Sequence, residues 1–400
     1  MSFDSLYKMY FILNAAEYKK LYLSRYNSES TITFDCEING NPAFFFFHNN
    51  INILLNQISE MEEKVENAFN RLPKLAKQQF IKKTMIDEIV YSNEIEGVIS
   101  TRKDINTIIE NFKCKDDKLN RLDGIVKKYL TLLDGVDLKI ESSEDVRKLY
   151  NESFLEEVIS NDPKNEPDGN ILRKGPVFIT SSGKEIHRGI CPESELIKFV
   201  DKSFDILHDK DIHPLIRLSI FHYLFAYAHP FYDGNGRINR LIASYFISKK
   251  YSALVGYNLS MMIKANISRY YEAFKHTNDV RNKGDMTTFV YEFLSIILGA
   301  FEKTELFAME YCHQLKKYFD IITNLNISDK AKDLLNVLVQ SEVFTELGVS
   351  ASELMKINEI SVNTLKKYLA ELSNLSILKE VYLFNRKYYG IDLDKLGNLK

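Results

Sequence analysis

The sequence predicts a mainly α fold with one small β-hairpin in its middle and a mixed α+β module at its C-terminal end. Three observations predict it. Apolar residues recur at helical spacing from about Ile51 onward. No proline follows Pro230, so nothing interrupts a long helix from about Met286 to Thr323. Short extended runs stand out at residues 177–187 and 378–391. The 400 residues exceed one average domain and suggest two or three, with ample length to bury cores.

Taken in order, the first fifty residues read as irregular. The run Phe44 to Phe47 is too short to span a membrane and reads as a buried strand or docking segment. A helix then ends near Gly97, and another starts near Ser143. The segment NDPKNEPDGN, residues 161–170, is a turn-rich loop. Val177 to Ile179 and Glu185 to His187 are extended runs separated by Ser181, Ser182, Gly183 and Lys184, the composition of a hairpin. Helices resume through Thr323. From about Ile327 the pattern is three short helices and then an extended pair. Val362, Leu365, Leu369 and Leu372 fall on one helix face, and Leu378 to Tyr382 with Tyr388 to Ile391 read as a hairpin turning at Asn385 and Arg386. This order is winged-helix-like. Asn363, Lys366 and Lys367 lie on the candidate recognition helix. Acidic and basic residues here are about equal, so DNA binding and a protein-interaction or dimer role both stay open.

Composition narrows the classes. The formal net charge of −3 gives no global polyanion-binding surface. The four cysteines, Cys36, Cys114, Cys191 and Cys312, lack CxxC spacing, which argues against a zinc site or disulfide framework and suits a reducing cytosol. No apolar stretch approaches a membrane span, and the N-terminus does not read as a signal peptide, so a cytoplasmic protein with no membrane partner is expected.

The chemistry concentrates in His229 to Arg240, HPFYDGNGRINR. His229 follows the apolar run Leu224 to Ala228, so its imidazole sits at a helix-loop junction as a base expected to titrate near neutrality. Asp233 is a hard oxygen ligand of the kind Mg2+ accepts beside phosphate oxygens. Gly234 and Gly236 let backbone N–H groups approach an anion. Ile238, Leu241, Ile242, Tyr245 and Phe246 form an apolar stripe, so a helix starts inside the segment and points its N-terminus at that anion. Arg237 and Arg240, three apart, can fork onto phosphate oxygens. Each feature alone has a bland reading, a capped histidine or an ordinary turn. Two arginines at the positive end of a helix dipole, however, ask for an anion.

At every defined position this segment resembles the Fic family pattern, histidine-x-phenylalanine-x-acid-glycine-asparagine-glycine-arginine-x-x-arginine. The resemblance implies a helical core and transfer of a nucleoside monophosphate, usually AMP from ATP, onto a hydroxyl side chain of a target protein. It makes His229 the base, Asp233 the magnesium ligand and Phe231 the buried anchor of the loop. Asn235 with the amides of Gly234 and Gly236 forms the anion hole, and Arg237 and Arg240 hold the β and γ phosphates. The intact GNGR favours AMP transfer over phosphorylation, although the motif does not read the base.

Upstream, Ser92 to Gly97, SNEIEG, resembles the family's inhibitory motif. That resemblance sets Glu96 opposite Arg240. An Arg–carboxylate contact in a partly buried site is worth roughly 1.5–3 kcal/mol, so a productive ATP pose is disfavoured about ten- to a hundredfold. The plain alternative is that Glu94 and Glu96 decorate a solvated helix end closed by Gly97. The hairpin resembles the family's flap, which pairs with the target main chain, and Val177 is the expected clamp residue. RYYEAFKHTN, residues 269–278, resembles the helix lining the adenine pocket. There Tyr271 and Asn278, seven apart, could stack on and hydrogen-bond a base, with core packing of the tyrosine the alternative.

The resemblance covers roughly residues 40 to 325. The expectation is therefore an N-terminal region with the inhibitory helix (1–110), a Fic catalytic core with its flap (111–325) and a winged-helix-like domain (326–400). The expected function is an autoinhibited protein adenylyltransferase that uses ATP and Mg2+ on a hydroxyl-bearing protein or on itself, with a homodimer possible. Two alternatives stand: removal of AMP from modified proteins using Glu96, and a nucleotide-sensing transcriptional regulator.

Overall fold

Helical periodicity becomes helix over most of the chain in the computed structural model, which describes residues 4–114, 120–181, 184–344, 348–383 and 386–399. The fold is mainly α with small antiparallel sheets, as the sequence predicts. By internal contacts the chain divides into two compact units. One comprises residues 1–60 with 85–300, the other residues 61–84 with 301–400.

The first unit corrects the reading of the N-terminal fifty residues as irregular. Helices Leu6–Tyr10 and Ala15–Tyr26 lead into a hairpin, Thr31–Ile38 with Asn41–Phe46. The signals are local. Asn14 and Glu17 form a reciprocal capping box, and the hairpin turns at Asn39 and Gly40, both with positive φ (47° and 72°), as an Asn-Gly turn between strands should. Phe44 and Phe45 lie within the second strand and are fully buried, so the phenylalanine run is a buried strand, with Phe47 just beyond its end. The Phe44 ring meets Tyr26 edge-on at 5.3 Å, and its main chain bonds to Gly284 and Met286.

The helix Lys74–Ile95 ends where expected, followed by Gly97 at φ 71°. Ser143–Ser153 also starts where expected, capped by Ser142, whose hydroxyl accepts from the Asp145 N–H. The middle hairpin pairs Phe178–Ser181 with Lys184–Arg188. Its expected turn residues Ser182 and Gly183 lie outside the described residues. The helix Pro214–Ala228 is buried nearly all round, and Asn235–Lys250 follows it after a short loop. Thr287–Asn324 is one helix of 38 residues, the length that the absence of proline allows.

In the second unit, helices Asp329–Glu342, Ala351–Asn358 and Val362–Asn374 accompany a three-stranded antiparallel sheet in which Arg386–Ile391 lies between Val349–Ser350 and Leu378–Leu383. Leu365, Leu369 and Leu372 are buried as their spacing predicts. Val362 is not. It follows the Ser361 cap as the first helical residue and is 51% exposed. Asn385 lies outside the described residues, and Arg386 opens a strand rather than the turn. Asn363, Lys366 and Lys367 are exposed. Among the described residues no helix is long and apolar enough to cross a membrane.

Phe44→Ala should destabilise the first unit by about 3–5 kcal/mol, the usual cost of emptying a filled aromatic site. Val362→Ala should stay within about 0.5 kcal/mol. Thermal melts of the two variants against the parent check the contrast.

Candidate active site

The helix Pro214–Ala228 fixes its own C-terminal end because it is apolar on every side. His229 is the residue that caps it, held at φ 52°, with its N–H donating to the Phe225 carbonyl. A bulky residue in this left-handed region costs about 1–3 kcal/mol, and surrounding contacts must hold it there. Phe231 is fully buried and stacks on Tyr150 with ring centroids 3.8 Å apart, so it anchors the loop as expected.

Asn235 closes the loop on itself. Its Oδ1 accepts from the Phe231 N–H at 2.9 Å and its Nδ2 donates to the Phe231 carbonyl at 2.8 Å. The sequence reading assigned this residue to the anion hole. Its side chain instead pins the backbone, leaving the main-chain N–H of the first helical position to face an anion. Gly234 precedes it at φ 79° and provides no side-chain cap, so the first turn of Asn235–Lys250 keeps the donors that suit a phosphate. Asp233 stands beside this turn. Its Oδ1 accepts from the Gly234 N–H at 2.6 Å, and Tyr150 donates to its carbonyl at 3.1 Å.

The two arginines have different partners. Arg237 ion-pairs with Glu157, both side chains only 2% exposed, and lies over the Phe154 ring. Its Nε has no hydrogen-bond partner, and its Nη2 lies beside Gly234. The residue is therefore anchored from below with part of its guanidinium turned to the loop. Arg240 is equally buried and meets the Ser92–Gly97 segment. Its Nη1 is 2.8 Å from Glu96 Oε1, its Nε donates to Ser92 Oγ at 3.0 Å, and its Nη2 donates to the Ser92 carbonyl at 2.8 Å. Burial works against the Arg240 charge, but the charge and hydrogen bond of Glu96 together with Tyr270 and Tyr271 raise its pKa.

Glu96 reaches this place by backbone geometry. Its N–H and that of Val98 both donate to the Asn93 carbonyl, and Gly97 takes the left-handed turn. The carboxylate comes to rest on the motif helix itself, where a Cβ on Gly236 would overlap Glu96 Oε1. Glu94 points elsewhere and ion-pairs with Lys264 at the surface, so only one of the two glutamates decorates the helix. One turn before Ser92, the fully buried Glu88 accepts from the Ser260 N–H and hydroxyl. Burial pushes its pKa up to about 7, with the Ser260 hydrogen bonds and the Arg240 charge pulling the other way.

Other expected residues are more dispersed. Tyr271, on Ile267–Asn278, is half exposed and close enough to Glu96 and Arg240 to feel both charges. Asn278, at the far end of that helix, accepts from the Tyr223 hydroxyl at 2.7 Å, and its carbonyl takes a hydrogen bond from Asn39. Val177 precedes the hairpin strand, and its carbonyl accepts from the Gly189 N–H at the hairpin base. Sequence reading missed Arg173, Glu157, Glu88 and Tyr150. All four act across long stretches of chain, and no local spacing marks them.

His229 departs from the sequence expectation in its titration. Burial first, then the Arg173 guanidinium and His187, lower its pKa to about 4, against the opposing pull of Glu96. The imidazole is neutral at pH 7. Between about pH 6.5 and 4 the unfolded chain binds a proton that folded His229 refuses, so its contribution to stability is lost as pH falls through that window. The wild type should therefore lose thermal midpoint more steeply than His229→Gln over this range. Parallel curves would place the proton elsewhere.

With this geometry in place, comparison with known proteins is direct. Residues 142–247, which contain the hairpin and the whole His229–Arg240 segment, match the Fic/DOC family model. Over 217 residues the chain is 27% identical to a protein adenylyltransferase Fic of Drosophila sechellia and 26% identical to that of Drosophila yakuba. The aligned part is 52% of this chain and 40% and 39% of those relatives, so the chain spans about 40% of the length of the curated relatives it matches. The crystal structure of a Fic family protein from Desulfovibrio desulfuricans G20 shares the fold, with a TM-score of 0.50 over 86% of this chain and 97% of that one at 19% identity. The left-handed histidine, the glycine-started helix and the two anchored arginines all lie within residues 142–247, the stretch of this chain that matches the Fic/DOC family model.

Proposed function

We propose that the protein is an autoinhibited protein adenylyltransferase that moves AMP from ATP to a hydroxyl side chain of a target protein. The observation that carries the reading is the Glu96 carboxylate seated on Arg240 and against Gly236, at the helix end that would receive the phosphates. A carboxylate is the natural occupant of an anion site kept closed. The adenylyltransferase relatives support the donor and the transferred group, and the intact GNGR segment agrees with them.

In this reading, displacement of Glu96 frees Arg240 for the terminal phosphate while the amides of the first helical turn face the triphosphate. Neutral His229 takes the proton of the incoming hydroxyl as its oxygen attacks the α phosphorus, and pyrophosphate leaves with the broken phosphoanhydride bond. The low proton affinity of the free imidazole rises as phosphate charge arrives beside it. The residues fit magnesium in the manner of phosphate-bound sites. Among the described residues no cluster of three or more acidic, histidine or cysteine ligands exists, and Asp233 keeps a carboxylate oxygen beyond its bond to Gly234. Bound there, Mg2+ would supply charge neutralisation at the phosphates. Tyr271 is placed to cover a base next to Arg240, whereas the bond from Tyr223 gives Asn278 a structural duty as well.

The second unit, with three helices beside an antiparallel sheet and the exposed Asn363, Lys366 and Lys367, supports a winged-helix module open to nucleic acid. The 30% exposure of Glu96 also supports the reverse activity, since a carboxylate at that place can orient water toward an AMP ester.

Incubation with α-labelled ATP and host lysate tests the reading. Glu96→Gly should label protein at least tenfold more than the wild type, and the Glu96→Gly, His229→Ala double variant should return to background. Absence of labelling, with loss of AMP from a pre-labelled protein that requires Glu96, would select the reverse reaction.

A further inference from the structure

Arg173 is a large cation near the site that no step above uses. Its side chain is fully buried, and all four of its hydrogen bonds go to main-chain carbonyls. Nε donates to the His229 carbonyl at 2.8 Å, Nη1 to Gly175 at 2.5 Å, and Nη2 to Ile190 at 3.0 Å and Ala228 at 3.3 Å. Gly175 precedes the first hairpin strand and Ile190 follows the second. A single guanidinium thus joins both feet of the hairpin to the carbonyls at the end of the Pro214–Ala228 helix. Leaving a guanidinium buried among neutral acceptors is costly, and such an arrangement persists where its charge or geometry is needed.

Two neighbours are shaped around it. A Cβ on Gly189 would overlap Arg173 Nη2, so the hairpin foot is glycine where the guanidinium passes. Tyr232, inside the motif loop, accepts from the Gly175 N–H at 2.8 Å and donates to Asp168 at 2.9 Å, a second tie between the loop and the same segment.

We propose that Arg173 is a positioning residue for the reaction: its buried guanidinium registers the hairpin against His229 and sets the electrostatic surroundings of the imidazole. The inference rests on the reading of His229 as the base. Because His229 is held at a left-handed φ, the bond from Arg173 to its carbonyl opposes relaxation of that residue toward the helical region. The same contact brings a fixed positive charge beside the ring. The groups around the imidazole are Arg173 from the segment before the hairpin, His187 from its second strand and Glu96 from the end of the inhibitory segment. After burial, Arg173 contributes most to keeping His229 unprotonated.

The test uses full-length protein carrying Glu96→Gly, with Arg173→Met, Arg173→Lys or Gly189→Ala added. Two readouts are taken: the proton affinity of His229, followed by NMR of labelled histidine, and the kinetics of AMP transfer. Removal of the charge in Arg173→Met should raise the His229 pKa by about one unit or more, whereas Arg173→Lys should leave it near the parent value. Both should lower kcat at least tenfold with KM for ATP changed less than threefold, because the ATP-facing groups are untouched. Gly189→Ala keeps the arginine but crowds its Nη2, and should reproduce the kcat loss if Arg173→Met fails to fold. An unchanged His229 titration in Arg173→Met, or Gly189→Ala with full kcat, overturns the proposal. A parent without transfer activity would sink the adenylyltransferase reading instead, while the histidine titration would still decide the Arg173 claim.

Discussion

Arg240 is a guanidinium sunk to 2% exposure in the second turn of the Asn235–Lys250 helix, and most of the site can be understood as the means of compensating that charge. An isolated buried cation there would cost several kcal/mol. Ser92 supplies two acceptors and Glu96 the countercharge, so the Ser92–Gly97 segment completes the coordination of this arginine. Arg237 meets the same requirement differently, through the buried Glu157. The contrast has functional weight. Glu157 is fixed in the core on a helix of its own, whereas Glu96 arrives on a turn after a helix end and retains partial exposure. One arginine has a fully buried counterion and the other a partly exposed one.

Backbone conformation provides the second layer. His229 at φ 52° and Gly234 at φ 79° bracket a loop that Asn235 ties back to Phe231, and Phe231 is locked on Tyr150. The six residues from His229 to Gly234 are therefore held in place by the loop's own contacts. Gly236 serves another end. It has no side chain because the space above it holds a carboxylate.

Much of this was legible in the sequence because the signals are local. The twelve residues of the motif, the Ser92–Gly97 turn, the break-free run to Asn324 and the Leu365, Leu369, Leu372 face are each written within a few turns of chain. Glu157, Arg173 and Glu88 were not legible, since their partners lie about 55 to 170 residues away in sequence and nothing near them marks the pairing. The lowered proton affinity of His229 was hidden for the same reason: it depends on burial and on Arg173, neither of which a motif encodes. Asn235 shows a different failure. Its residue type suits an anion hole, and only the fold reveals that its amide is spent on Phe231. The N-terminal hairpin was missed although Asn39-Gly40 announces it and the first strand alternates polar and apolar residues from Thr31 to Ile38.

The most direct test of the account is calorimetric titration of a non-hydrolysable ATP into the wild type and Glu96→Gly, with AMP as the control ligand. If Glu96 holds the guanidinium that the terminal phosphate needs, Glu96→Gly should bind the ATP analogue about ten- to a hundredfold tighter, the worth of one charge-assisted contact, while AMP changes less than threefold. Equal affinities of the two proteins for the ATP analogue would contradict the claim that the Glu96–Arg240 pair closes the phosphate site.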